Sequence, residues 1–244
     1  VRGGIQIGEA PLIMHGSAPV LGWSPTWFWH PEAAFDRSLL GIYAATDRDL
    51  GSMLWRGLRA NALATKVLPG DDDVSQLQKA FRGAGHLMAA ATGPRIAVLS
   101  VDNFDTHSDQ GTLSGYLADT LKAFDQGLSD FKTAIGTAWS QTVVVCVTEF
   151  GRTVQTNGDQ GTDHGVGTVA MLAGGAVAGG KVVTDWPGLG SRNLLESRDL
   201  RATTDLRSVF KGILIDHLGV APTLVSSQVF PSSTAAPPLR VPDV

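Results

Sequence analysis

The sequence predicts an α/β fold, with a largely parallel central sheet flanked by helices. Three short apolar runs, at residues 95–101, 142–148 and 169–172, have the length and the continuous apolar character of strands that are buried on both faces. The clearest helix is predicted over residues 113–135, where apolar residues recur with gaps of three or four. The order strand, helix, strand, loop, strand is typical of layered α/β domains.

Further helices are predicted from the same periodicity, over residues 32–67, 73–91 and 205–218. The acidic triplet at residues 71–73 is interpreted as the N-terminal cap of the second of these, because carboxylates interact favourably with the positive end of a helix dipole. The first 30 residues are rich in Gly, Pro and Trp and are interpreted as an irregular loop pinned to the core by its aromatic side chains. No strand is expected before residue 95.

Composition and charge restrict the functions open to the chain. It has 244 residues, of which 43% are hydrophobic and 17% are charged, so it is neither disordered nor fibrous. A formal net charge of −4 leaves no basic surface for a nucleic acid partner, and no apolar run is long enough for a membrane span. The one cysteine, Cys146, lies in an apolar run and is interpreted as a buried, unreactive thiol. Residues 1–244 are expected to form a single domain that ends in a loose, proline-rich tail over residues 226–244.

Polar side chains with metal-binding and acid–base chemistry flank the predicted strands. They are two Asp/His pairs, one glutamate and one arginine: Asp105 and His107, Asp163 and His164, Glu149, and Arg152. Carboxylates and imidazoles together suit a divalent metal ion such as zinc or manganese, or an acid–base pair. The arginine suits a phosphate, sulfate or carboxylate group. Because such groups gather at the carboxyl ends of the strands in sheets of this kind, their functional atoms are expected within about 10 Å of one another, the scale of a small pocket.

Each of these residues also has a purely structural interpretation. Asp105 is then a turn residue, His107 a surface histidine, and Arg152 a partner that neutralises Glu149. The convergence of three strand ends favours the functional interpretation of the set.

Four motifs carry a resemblance to a known family. They are Phe-Asp-Thr-His at residues 104–107, Thr-Glu-Phe-Gly-Arg-Thr at 148–153, Thr-Asp-His-Gly at 162–165 and Leu-Ala-Gly-Gly at 172–175. In this order they resemble the motif set of the DUF1501 family, an uncharacterised family of the alkaline phosphatase-like (sulfatase-like) superfamily. The resemblance is strong over residues 95–231 and loose over the first 90 residues.

The resemblance implies an alkaline phosphatase-like fold and a metal site. Enzymes of that superfamily hold one or two divalent metal ions between Asp and His residues at strand ends, and they cleave phosphate or sulfate esters. By this resemblance the metal ligands are four residues: Asp105, His107, Asp163 and His164. Glu149 is implied to be a further ligand or a general base, and Arg152 to bind the anion. Phe150 stands where those enzymes carry a metal-binding histidine, so a second ion is expected to bind weakly or not at all.

The resemblance also implies a larger protein. Members of the family begin with a twin-arginine export leader and an early strand, so the chain is expected to be exported to the periplasm and to be the C-terminal portion of a larger domain whose nucleophile lies upstream. Two functions follow from it. One is a metal-dependent hydrolase that acts on a small anionic phosphate or sulfate ester. The other is a non-catalytic binding or assembly protein, with a protein partner or as an oligomer, in which the polar cluster is structural.

Overall fold

A computed structural model describes residues 3–9, 11–18, 20–25, 33–65 and 74–240. The chain divides into two compact units. The first comprises residues 1–103 and 119–136, and the second comprises residues 104–118 and 137–244. Among the helices of the described residues, none has the length and apolar character needed to cross a membrane, as expected from the sequence. That residues 1–244 form a single domain stays a prediction.

The first unit contains a three-stranded parallel sheet. Its strands β1 (Gly4–Ile7), β2 (Val20–Trp23) and β3 (Ile96–Leu99) lie in the order β2-β1-β3. Ile5 and Ile7 of the central strand are buried, which is the alternation expected of a strand that packs one face on the core. The prediction that no strand precedes residue 95 is therefore wrong. Four-residue strands among glycines and prolines are too short to show a period.

Four helices lie wholly or mostly in the first unit. They are α1 (Ala33–Thr46), α2 (Arg48–Thr65), α3 (Gln76–Ala89) and α4 (Tyr116–Ile135). The single helix predicted over residues 32–67 is thus two helices. Asp47 separates them, because its Oδ1 accepts the backbone N–H groups of Asp49 and Leu50 at 3.1 and 3.0 Å and so caps α2.

The start of α3 is set by a capping box. The Ser75 side chain accepts the backbone N–H of Gln78, and the Gln78 side chain accepts the backbone N–H of Ser75. The cap is therefore Ser75 and not the predicted acidic triplet, which lies outside the described residues, as does the tryptophan-rich part of the predicted loop at residues 26–30. The serine signal, Ser followed three residues later by Gln, was present in the sequence.

The long helix predicted over residues 113–135 is confirmed, but it begins at Tyr116. Gly111 and Gly115 have positive φ angles of 77° and 106°, which a helix cannot contain, and Leu113 is fully exposed. Within the first unit α4 packs on α3, where Phe81 and Phe124 meet edge to face with ring centroids 5.9 Å apart.

Gly85 allows α3 and α4 to approach closely, since a Cβ atom there would lie 2.7 Å from the Ala134 Cβ and 3.0 Å from the Phe131 carbonyl oxygen. We expect Gly85→Ala to lower the free energy of unfolding by about 1–3 kcal/mol, because the added methyl overpacks the contact. Gly57→Ala in α2 is the matched control. Nothing lies within 4 Å of its added Cβ, so it should raise the free energy of unfolding by up to about 1 kcal/mol. Urea denaturation measures both, and similar effects of the two changes would contradict the close approach.

The second unit contains two small antiparallel sheets. Its strands are β4 (Val144–Cys146), β5 (Gly151–Arg152), β6 (His164–Gly165) and β7 (Met171–Ala173). β4 pairs with β7, and β5 pairs with β6. The fold class is therefore confirmed as mixed α/β with a small parallel sheet, but the prediction that all three apolar runs share one parallel sheet is wrong. A parallel pair needs a crossover, usually a helix, and residues 147–170 contain no helix.

The helix predicted near the end of the chain packs on the β4–β7 pair. α5 (Leu206–Gly212) continues as a π-helical turn over Ile213–His217, so helical structure covers nearly all of the predicted range 205–218. Val209 and Ile213 are buried, and apolar side chains of the β4 and β7 segments, among them Val145 and Leu172, pack against them. Cys146 is half-buried, and this burial raises the pKa of its thiol, which favours the unreactive state.

Lys211 of α5 binds the backbone of the segment that follows the helix. A second π-helical turn covers Val225–Val229, and the buried Lys211 Nζ donates hydrogen bonds to the carbonyl oxygens of Ser233 and Ala236 at 2.6 and 2.7 Å. These bonds fix the backbone at Ser233 and Ala236, while most residues of 226–239 are exposed. That residues 226–244 form a loose tail stays a prediction. Residues 241–244 lie outside the described residues.

Candidate functional site

Two loops of the second unit, motif loop 1 (residues 104–110) and motif loop 2 (residues 157–165), are joined by backbone hydrogen bonds. The N–H to O contacts run from Thr162 to Thr106 at 3.1 Å, from Asp109 to Asp159 at 3.0 Å and from Gln110 to Gln160 at 3.1 Å. Gln110 also accepts hydrogen bonds from the buried hydroxyls of Thr106 and Thr162 at 2.8 and 2.6 Å. The loops therefore run side by side, and this pairing, not a shared sheet edge, brings the two predicted Asp/His pairs together.

The Asn157 side chain hydrogen-bonds to both motif loops beside His107 and Asp163. Its Nδ2 donates to the His107 carbonyl oxygen at 2.9 Å and to Asp163 Oδ1 at 3.0 Å. Its Oδ1 accepts the backbone N–H groups of Asp159 and Gly161, both at 3.0 Å. All the hydrogen-bonding groups of this amide are directed at the loops. Sequence reasoning missed this residue, although an asparagine before a glycine is a signal for a turn that the side chain organises.

Asp105 lies at the centre of the cluster. Its Oδ1 is 2.8 Å from His164 Nε2, 3.0 Å from His107 Nε2 and 2.6 Å from Arg152 Nη2. The hydrogen bonds from His164 and Arg152 hold the pKa of Asp105 below its ordinary value. The side chain is 62% exposed, so the cluster opens to solvent.

His107 lies between two carboxylates. Its Nδ1 is 3.2 Å from Asp163 Oδ1, and its Nε2 faces Asp105. The hydrogen bonds from Asn157 and His107 lower the pKa of Asp163. Since an ionised carboxylate only accepts hydrogen bonds, each ring nitrogen can contact its carboxylate through an N–H group or through a metal ion that both groups would bind.

Three groups have donor atoms in position for one metal ion. One ligand atom from each of Asp105, His107 and His164 lies within 4.8 Å of the others. An Asp/His/His set is one that zinc or manganese accepts. Asp163 contacts His107 at the ring nitrogen that does not face Asp105, so its position is that of a residue that orients a ligand rather than that of a ligand.

Phe150 forms one wall of the cluster. Its ring stacks on His164, with centroids 3.8 Å apart and an angle of 18° between the planes, and the Arg152 guanidinium lies 5.4 Å from its centroid. The sequence marked Phe150 only as the loss of a ligand. In the folded chain it holds the His164 ring in one orientation.

Arg152 hydrogen-bonds to both motif loops. Its Nη1 donates to the Thr162 carbonyl oxygen at 2.7 Å, and its Nη2 donates to the Phe104 carbonyl oxygen at 2.7 Å as well as to Asp105. Three of the five N–H groups that a guanidinium offers are thus directed at protein atoms, and the side chain is 22% exposed. These contacts favour a positioning role over the predicted anion-binding role.

Glu149 stands apart from the other predicted residues. It is exposed, and within the described part of the chain its carboxylate makes no hydrogen bond or ion pair. The structure therefore brings five of the six predicted residues into one contact network and leaves Glu149 outside it.

Comparison with known proteins gives one match. A family model described as "Protein of unknown function (DUF1501)" matches residues 56–222, which is more than half of the chain and includes all six predicted site residues. Among curated proteins and among solved structures, no match was found.

Proposed function

The chain belongs to the DUF1501 family, and from this premise and the site we propose that it is a metal-dependent hydrolase of phosphate or sulfate esters. Asp105, His107 and His164 would hold one divalent ion, zinc or manganese. The alkaline phosphatase-like fold and the export to the periplasm that the family resemblance implies belong to the same proposal.

One observation carries the metal site: the position of His107 between two carboxylates, with a second imidazole on the same Asp105 oxygen. His107 and Asp105 would both be ligands of such an ion. Asp163, whose Oδ1 lies 3.2 Å from His107 Nδ1, would orient the His107 ring. A carboxylate behind a histidine ligand is a common arrangement in zinc sites.

The other residues of the cluster position these ligands. Arg152 holds Asp105 against motif loop 2, and Phe150 fixes the plane of His164. The ligand side chains are 46–62% exposed, so an ester can reach them from solvent. A divalent ion at such a site supplies Lewis-acid chemistry toward an ester oxygen. Phe150 contributes no ligand, so one ion per chain is expected.

A second candidate function is supported by Arg152. Its guanidinium lies 2.6 Å from Asp105 Oδ1 and already neutralises that carboxylate. In this alternative the cluster is a hydrogen-bonded structural element of a binding or assembly protein, and no metal is needed.

Metal titration separates the two functions. Calorimetry with Mn²⁺ and with Zn²⁺ should find one ion per chain, and a His107→Ala/His164→Ala double variant should lose more affinity than the roughly 10–100-fold typical of losing only an orienting group. His15→Ala, an exposed histidine of the first unit, is the matched control and should bind as the unaltered chain does. No binding by the unaltered chain at neutral pH, or equal binding by the double variant, would overturn the metal site.

Turnover distinguishes a hydrolase from a metal-binding protein without activity. We expect metal-dependent cleavage of an aryl phosphate or an aryl sulfate, with its loss in the double variant. Metal binding with no turnover of either ester would instead favour the binding function.

A further inference from the structure

A polar cleft of about 190 Å³ opens beside the candidate metal site in the second unit. Seven side chains line it, all with hydrogen-bonding groups: Thr153, Gln155, Thr156, Asn157, Asp163, Ser197 and Arg198. Two of them are charged: Arg198 is a cation and Asp163 is an anion. The cleft shares Asn157 and Asp163 with the cluster, and the Asp163 Oδ1 contacts His107 Nδ1.

Arg198 differs from Arg152 in how much of its guanidinium is already used. Its side chain is 51% exposed. Its Nη2 donates to the His164 carbonyl oxygen at 2.8 Å, and its Nη1 lies 3.4 Å from Asp199 Oδ2, at the long end for a hydrogen bond. Among the described residues, the other three N–H groups of the Arg198 guanidinium make no hydrogen bond, whereas Arg152 has three donors bonded to loop atoms.

The loop that carries Arg198 is held in an unusual conformation. The two residues before it, Glu196 and Ser197, have positive φ angles of 52° and 57°. For residues other than glycine this conformation costs roughly 1–2 kcal/mol each. The surrounding contacts maintain it, among them the Val154 N–H to Arg198 carbonyl hydrogen bond at 3.2 Å. The Arg198 N–H also donates to the Leu195 carbonyl oxygen at 3.0 Å, so residues 195–198 form a type I′ turn that fixes the position of Arg198 at its end.

We infer that Arg198, and not Arg152, binds the anionic group of the substrate, a tetrahedral oxyanion such as phosphate or sulfate, in this cleft. The inference rests on the proposed function. A guanidinium with free donors matches the oxygen atoms of such an anion, and the hydroxyl and amide groups of the other lining residues can bind the remaining oxygens.

Charge balance links this anion to the metal. Counted formally with neutral histidines, Asp105, Asp163 and Asp199 carry one negative charge more than Arg152 and Arg198 balance, so a divalent ion leaves this group of residues with a net charge of about +1. Metal and anion therefore favour each other's binding, and by linkage the effect is equal in both directions.

The test measures Mn²⁺ affinity from the paramagnetic resonance signal of free Mn²⁺, alone and with inorganic phosphate or inorganic sulfate. In the unaltered chain at least one anion should tighten Mn²⁺ binding by about 5–150-fold, the usual range for coupled sites. Arg198→Ala should reduce the ratio of the Mn²⁺ affinities with and without the anion to about one. Arg198→Lys keeps the charge and should retain part of this ratio. Arg240→Ala, at a 70% exposed arginine that contacts Asp216, is the matched control and should leave the ratio unchanged. Circular dichroism establishes that each variant is folded.

The outcomes separate this inference from the proposed function. Tightening by phosphate alone or by sulfate alone supports the inference and identifies the ester class. Mn²⁺ binding that neither anion changes, or a ratio that survives Arg198→Ala, overturns the inference and leaves the metal site standing. If Mn²⁺ does not bind, the proposed function fails. The anion site then stands only if phosphate or sulfate binds the metal-free chain in calorimetry and Arg198→Ala abolishes that binding.

Discussion

Gly161→Ala is expected to disrupt the candidate site from within motif loop 2. A Cβ atom at residue 161 would collide with the backbone carbonyl of His107 and lie 2.6 Å from Ser108 N, atoms that cannot move without breaking the pairing of the motif loops. We expect a loss of about 2–4 kcal/mol in the free energy of unfolding, at or above the usual cost of overpacking. We also expect a loss of metal affinity of at least about 10-fold, as when a group that orients a ligand is removed.

Gly158→Ala is the matched control for this change. It lies in the same loop, and nothing is within 4 Å of its added Cβ. Urea denaturation and Mn²⁺ titration should show it within about 0.5 kcal/mol of the unaltered chain and with the same metal affinity. If Gly161→Ala bound Mn²⁺ as tightly as Gly158→Ala, the loop pairing would not be what assembles the metal ligands.

Lys211→Ala is expected to give the other large effect, on stability. Its Nζ binds the Ser233 and Ala236 carbonyl oxygens, and both residues are buried, as Lys211 is. The substitution leaves two buried carbonyl groups without this partner and removes three buried methylene groups together with the terminal amino group. The expected loss is about 3–5 kcal/mol, since each unpaired buried group costs on the order of 1–3 kcal/mol and the cavity adds to it.

Two further variants isolate the cause of this loss. Lys211→Met keeps most of the aliphatic volume and removes the ammonium group, so it should destabilise the chain by less than Lys211→Ala. Lys122→Ala, at an exposed position of α4, should change the free energy of unfolding by no more than about 0.5 kcal/mol. Proteolysis should cut the region after residue 225 faster in Lys211→Ala than in Lys122→Ala. Equal rates would contradict the docking of this region by Lys211.

Local sequence patterns predicted the helices well and the strands in part. The apolar periodicity before Ile135 located α4 to within three residues at its start, and the apolar run at residues 142–148 contains β4. These features depend on residues close together in the chain, which is why they can be read without the fold. β1 and β2 were not predicted because each has only four residues and forms a strand through pairing with segments that are distant in sequence.

The residue types of the candidate site were likewise evident from the sequence, but not the reason that they meet. Two Asp/His pairs stood out by composition. Their predicted meeting place was the edge of one parallel sheet, yet β3 pairs with β1, in the sheet that also contains β2, while β4 pairs antiparallel with β7. Strand pairing depends on contacts between segments that are distant in sequence. An apolar run looks the same in the sequence whether its strand pairs in a parallel or an antiparallel direction.

The sequence by itself therefore determined the fold class, the family and five residues that meet in one cluster. The tertiary structure alone decided what each of them does there. It placed Asp163 against the His107 ring nitrogen that does not face Asp105, it bonded Arg152 to both motif loops, and it left Arg198 half-exposed in the adjacent cleft. The physical reason is that a residue's type limits which bonds it can form, whereas the directions of its neighbours, set by contacts between distant segments, decide which of those bonds are made.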